Sequence, residues 1–123
     1  MANDFKSFSK ANIAIDSGTY STVYTVPYTA ADVESILLEV DVANTHSADV
    51  TVDVKVNKNS GGTGGTDDIF IVKSAPVPVG GALKVVSGQK IVMMSTSTGA
   101  DTLTVACSVA NAADCIASVL EDV

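Results

Sequence analysis

Apolar and polar residues alternate strictly from Val50 to Asn57, with Val50, Val52, Val54 and Val56 on one side and Thr51, Asp53, Lys55 and Asn57 on the other. A period of two held over eight residues predicts a β-strand with one face in a core and one in water. The preceding segment repeats the pattern, placing Ile36, Leu38, Val40 and Val42 on one face and Glu39 and Asp41 on the other. Joined by Asn44-Thr45-His46-Ser47-Ala48, the two read as a β-hairpin, with Asp41 and Asp53 near each other on its wet face.

Further strands follow from β-branched runs bounded by turn residues. Ile13 to Asp16 reads as a short strand ended by Ser17-Gly18, and Thr19 to Val26 as a richer one stopped by Pro27. Tyr20 and Tyr24 are expected on one face of it, as packing residues. Ala30 to Glu34 could open one helical turn, before Val33 to Ala43 forms the first long strand. Ile69 to Lys73 is a short strand. Ala75-Pro76-Val77-Pro78-Val79-Gly80-Gly81 is an extended crossing, because each residue before a proline is held out of the helical region. Ala82 to Val86 and Lys90 to Ser95 read as a pair about Ser87-Gly88-Gln89. Leu103, Val105, Cys107 and Val109 share a face of the penultimate strand, and Asp114 to Glu121 closes the series. The sum is a single all-β domain over residues 13–123, an antiparallel β-sandwich of eight or nine strands with jelly-roll or immunoglobulin-like topology. Residues 1–12 lack a long-strand pattern and read as an N-terminal arm that docks through Phe5 and Phe8. In a helical turn those two would share a side, and in an extended arm they would oppose each other.

Composition narrows the core and then the partners. A chain of 123 residues with 19 valines, 12 threonines and no tryptophan suits two thin facing layers of sheet. By area scaling, about two-thirds of its surface is buried on folding, which supports one core without cross-links. Net charge is −7, from 14 acids against seven lysines, and arginine is absent. Such a chain lacks the basic footprint that nucleic acid or an anionic membrane surface selects, so neither is an expected partner. The polar Met1-Ala2-Asn3-Asp4-Phe5-Lys6 has no apolar run typical of a secretory signal, which predicts a soluble protein made in a cytoplasm.

Candidate chemistry is sparse. Cys107 and Cys115 flank Asn111-Ala112-Ala113-Asp114 and are expected as free buried thiols rather than a disulfide. Two cysteines and one histidine, His46, fall short of a structural zinc site. His46 sits among turn formers without a nucleophile or orienting carboxylate nearby in sequence. Asp67-Asp68 beside the Gly61–Gly65 tract lacks the ligand spacing of a calcium loop, and the glycines lack the Lys-Ser or Lys-Thr of a phosphate cradle. The tract itself, devoid of apolar residues, is expected as an exposed loop tip. No catalytic, metal or cofactor site is expected, and the chain does not read as an enzyme.

Several segments in order carry a likeness. They are Ala2-Asn3-Asp4-Phe5-Lys6, Thr22-Val23-Tyr24-Thr25-Val26-Pro27, Ala43-Asn44-Thr45 with Ser47-Ala48-Asp49-Val50-Thr51-Val52-Asp53-Val54, and Ile71-Val72-Lys73-Ser74-Ala75-Pro76-Val77-Pro78-Val79-Gly80. Gly88-Gln89-Lys90-Ile91-Val92 and Ser118-Val119-Leu120-Glu121 complete the series. Together they resemble small virion structural proteins of tailed double-stranded-DNA phages, particularly those of marine bacteria and cyanobacteria. The resemblance implies a β-sandwich subunit located in the virion, as a capsid decoration (cement) protein or a tail or neck component. It implies as partners the major capsid protein or other virion proteins, and brings no catalytic or ligand motif. A small carbohydrate-binding module is the alternative of another class, and it would want exposed aromatic platforms. Self-association as a trimer is expected through strand edges or the apolar crossing. Phe5, Phe8, Pro76, Val77, Pro78 and Val79 are the candidate protein-interaction residues.

Overall fold

The computed structural model describes residues 3–60 and 67–122. They form nine strands: β1 (Asn3–Lys10), β2 (Ser21–Thr25), β3 (Val33–Asn44), β4 (Val50–Asn57), β5 (Asp68–Val77), β6 (Ala82–Thr96), β7 (Gly99–Ala100), β8 (Thr102–Cys107) and β9 (Ala113–Asp122). No helix occurs among the described residues. A front sheet has the order β1-β9-β3-β6-β7 and a back sheet the order β2-β8-β4-β5, with every pair antiparallel.

The connectivity decides between the two expected topologies. β4 pairs β5, β3 pairs β6, β2 pairs β8 and β1 pairs β9. The chain is therefore one long hairpin of four successive pairs. It is rolled so that β9 also meets β3 and β8 also meets β4. That arrangement is a jelly roll. Between the sheets lie Leu37, Val40 and Val42 of β3, Val52, Val54 and Val56 of β4, Leu103 and Val105 of β8, and Ala117 and Val119 of β9, all buried. Compact β-branched side chains fill the gap of about 10 Å between facing sheets.

Several expectations are corrected. The segments read as a hairpin, β3 and β4, lie in opposite sheets. Two half-apolar strands satisfy burial equally well by facing each other across a core as by lying side by side. Asn44 makes the crossing, its amide donating to Ala48 O at 2.9 Å and Val77 O at 3.0 Å while its Oδ1 accepts from His46 N at 2.8 Å. Asp53 is consequently far in topology from Asp41, on the outer side of the back sheet, and is only 5% exposed.

The phase of β3 also differs. Leu37 pairs Val119 and Glu39 pairs Ser118, which leaves Leu38 as an extra residue. This bulge puts Leu37 in the core and turns Ile36 to the outer face, because one inserted residue inverts the alternation. Opposite it, β6 carries Gly88 and Lys90 at φ 88° and 63°. Residues 82–96 are therefore one kinked strand, not two strands about a turn. A second bulge at Val23 buries both Val23 and Tyr24, so Tyr24 points into the core while Tyr20 bonds to the outer-face Asp53.

Ile13 to Asp16 form no strand beyond a single bridge from Ile15 to Cys107. No helical turn forms over residues 30–34, where Ala30 takes φ 70°. β5 runs on through Pro76, tolerated because this strand is a sheet edge. Of residues 1–12, expected as an arm, Asn3–Lys10 make strand β1 in unbroken register with β9, from Asn3↔Asp122 to Lys10↔Cys115. Its polar composition hid a strand that the neighbouring strand completes. The Gly61–Gly65 tract lies outside the described residues.

Candidate interaction surfaces

The outer face of the front sheet carries an apolar row that no single strand encodes. Phe5 pairs Leu120, Leu120 pairs Ile36, and Ile36 pairs Val92, so one rung of four strands is apolar from β1 to β6. Phe5 is 78% exposed and Val92 51%. Carboxylates flank the rung: Asp122 pairs Glu34 on one side, while Glu39 and Asp41 lie beyond the bulge on the other. The neighbouring Asp41, as acceptor for the protonated Glu39 carboxyl and then through its charge, raises the Glu39 pKa above its ordinary value.

Beneath the row is a buried polar cluster. Glu121 on β9 is 1% exposed and accepts from Tyr24 Oη at 2.6 Å, while Lys6 Nζ on β1 lies 2.8 Å from its other oxygen. Tyr24 Oη also lies 2.9 Å from Ser35 Oγ on β3. The hydrogen bond and charge of Glu121 raise the Lys6 pKa above 10.5. Burial, then the bond to Glu121, raises that of Tyr24. Phe8 packs on the Tyr24 ring with centroids 4.6 Å apart. The cluster thus fastens the edge strand β1 to both sheets.

The outer face of the back sheet is polar. Asp53 accepts from Tyr20 Oη at 2.7 Å and from Ser74 N at 2.6 Å. Burial, then this bond, pushes the Tyr20 pKa up to about 12. Lys55 Nζ lies 4.5 Å from the Tyr20 ring centroid, and Lys73 Nζ is 4.5 Å from that of Phe70. Beside them runs a groove of about 340 Å³, lined by Thr22, Asn57, Asn59, Thr102 and Thr104 among others.

At the end of the sandwich, fully buried Asp101 accepts from Lys58 Nζ (2.8 Å), Asn59 N (2.9 Å), Ser60 N (3.1 Å) and Met94 N (3.0 Å). Burial alone would raise its pKa. The Lys58 bond, the Met94 and Asn59 amides and the Lys58 charge outweigh that and hold it below 3.8.

The sequence-derived interaction residues are divided by the fold. Phe5 stands on the outer front face and Phe8 faces inward, as an extended strand requires. Val77 is fully buried in the domain's own core, whereas Pro76, Pro78 and Val79 are exposed where β5 crosses to β6. Leu120, Ile36 and Val92, which complete the row with Phe5, were not expected there. The run Ile36-Leu37-Leu38, three apolar residues in a strand, was the available sign of a bulge. Cys107 and Cys115 are free and buried. Among the described residues, no three His, Cys, Asp or Glu side chains are grouped to hold a metal ion, and no helix is long and apolar enough to cross a membrane.

No protein-family model matches the chain, and no curated protein matches it. Among solved structures, it is similar to a chain of the T13 infectious bursal disease virus particle at 9% identity and TM-score 0.41, covering 97% of this chain and 30% of that one. It is also similar to infectious bursal disease virus VP2 of a subviral particle, at 10% identity and TM-score 0.40, covering 97% of this chain and 41% of that one. This chain thus spans less than half the length of those it matches.

Proposed function

We propose that this protein is a non-enzymatic structural subunit of a tailed double-stranded-DNA phage particle. In this reading it is a decoration (cement) subunit that binds the outside of the head and clamps neighbouring capsomers. It is made in the host cytoplasm and incorporated into the virion, with the major capsid protein or other virion proteins as partners. The observation that carries the reading is the ordered set of segments resembling phage virion proteins, above all Lys73-Ser74-Ala75-Pro76-Val77-Pro78-Val79-Gly80. In space that stretch is the end of an edge strand and the crossing between sheets, with Pro76, Pro78 and Val79 exposed. Jelly rolls serve as viral capsid domains, lectins and cupins, so topology alone does not choose among them. A surface apolar row with acidic flanks suits protein–protein contact, in which a few apolar anchors sit inside a polar rim.

A tail or neck component is the nearest alternative within the virion. A carbohydrate-binding module is favoured only by the polar groove of the back sheet, whose Tyr20 ring is already covered by Lys55. A cryo-electron map of the parent particle is the test. Density for the subunit on the head exterior, bridging capsomers, is the expected result. Density at the neck or tail selects the alternative, and a particle without the subunit overturns the proposal. Binding on a glycan array would select the carbohydrate reading.

A further inference from the structure

The four sheet edges differ in how well they resist pairing with another chain. β7 has two residues and covers only Ser95 and Thr96 of β6, whose remaining open edge is kinked by Gly88 at φ 88° and Lys90 at φ 63°. β2 has five residues and a bulge at Val23. β5 has two register shifts against β4, Ser74 at φ 53°, and Pro76, which lacks an N–H. Short, bulged or proline-bearing edges discourage strand addition. β1 has none of these features. Its eight residues keep continuous register with β9, and its other edge is unpaired among the described residues. It also ends the apolar row, with Phe5 78% exposed at the margin of the sheet.

We infer that β1 pairs antiparallel with β1 of a second copy about a two-fold axis through Phe5, joining two front sheets into one. The occupant is set by self-complementarity. With Phe5 opposite its own symmetry mate, Asp4 falls opposite Lys6 and Asn3 opposite Ser7. Each copy then offers an aromatic pair at the centre and an opposite-charge pair on either side of it. Cross-strand neighbours have Cβ atoms about 4.5–5.5 Å apart, close enough for both kinds of contact. Lys6 has three donors, so it can serve its own Glu121 and the partner's Asp4 together. The apolar rung then continues without a break from Val92 of one copy through both phenylalanines to Val92 of the other. Stacking two copies face to face on that rung would instead oppose the flanking acids Glu34, Asp122, Glu39 and Asp41. A strand edge that pairs with itself does so in twos, so this contact builds a dimer. The inference stands independently of the virion reading, since it concerns the purified subunit in solution.

The test uses Phe5→Lys and Phe5→Glu, substitutions at an exposed position that leave the fold intact. Sedimentation equilibrium of the wild type is expected to show a concentration-dependent dimer. Each variant alone is expected to dimerise at least about tenfold more weakly, because like charges then face each other. An equimolar mixture of the two is expected to recover the dimer, since residue 5 faces residue 5. Unchanged melting temperatures would assign the loss to the contact. The proposal is overturned by a wild type that stays monomeric at millimolar concentration, by dimers that survive both substitutions, or by a mixture that fails to recover. The last result would follow from a register centred on Ser7, which sets Phe5 against Ser9.

Discussion

Tyr24 donates its phenolic proton to Glu121 across the interior of the sandwich, with 2.6 Å between oxygens. The donor stands on β2 of the back sheet and the acceptor on β9 of the front sheet, so the bond ties the layers together. Tyr24→Phe keeps the ring against Phe8 and removes one bond to a buried carboxylate. The expected loss is about 2 kcal/mol, since hydrogen bonds to charged groups contribute about 1.5–3 kcal/mol. That corresponds to a melting temperature lower by roughly 6–10 °C. A melting curve matching the wild type would mean that water replaces the phenol.

The same cluster predicts alkaline sensitivity. Tyr24 and Lys6 have folded-state pKa values raised above their ordinary 10.0 and 10.5, so the folded protein holds those protons more tightly than the unfolded chain. Their contribution is complete below those ordinary values and is lost as pH rises past 10 through the raised ones. Urea midpoints measured from about pH 8 to 12 should fall at the upper end, and fall less steeply in Tyr24→Phe.

Asp101 governs the opposite limb. Its pKa is lowered, so its stabilisation is present above 3.8 and drains away as pH falls below that value. Asp101→Ala leaves the partly buried Lys58 ammonium and three backbone amides without their acceptor. Loss of one partner of a buried ion pair costs about 3–5 kcal/mol, and denaturant unfolding should register a loss of that order.

Ala30 is exposed and holds φ 70°. A side chain in this left-handed region costs about 1–2 kcal/mol relative to glycine, partly offset by the greater unfolded-state freedom of glycine. Ala30→Gly should therefore stabilise the domain by roughly 0.5–1 kcal/mol, read as a higher denaturant midpoint with unchanged slope.

Cys107 and Cys115 should ignore thiol reagents while the domain is folded. Burial, then the charge of Asp41, pushes the Cys115 pKa up to about 12 from 9.0, which lowers its thiolate fraction by about a thousandfold. Labelling rates should track unfolding across a denaturant series, and rapid labelling of the native protein would contradict the observed burial.

The core face of β4 was legible in its sequence, because Val50, Val52, Val54 and Val56 obey one alternation and all four are buried. β3 was legible as a strand but not in phase, since the bulge at Leu38 depends on what β6 and β9 present beside it. Pairing was illegible wherever an apolar face could be covered either by a lateral neighbour or by the opposite sheet, as with β3 and β4. For β1, strand character comes from a partner more than a hundred positions away, and Asn-Asp-Phe-Lys-Ser-Phe-Ser-Lys carries little of it locally. The role of Glu121 was readable in principle. Alternation through Cys115, Ala117 and Val119 points it inward, and a carboxylate at such a position demands a donor.

The pairing of β1 with β9 also sets a timetable. Of the nine strands, β1 leaves the ribosome first, and its sole partner in the sheet leaves last. Until Ala113 to Asp122 emerge, Phe5 and Phe8 have no ladder to join, and Lys6 has no Glu121 to meet. Closure of the front sheet therefore waits on the last of the nine strands and is slowed by the longest loop the topology contains. A nascent chain halted before β9 would leave β1 without its ladder and one edge of β3 unpaired, making it a client for chaperones and a seed for aggregation in a way the completed domain is not.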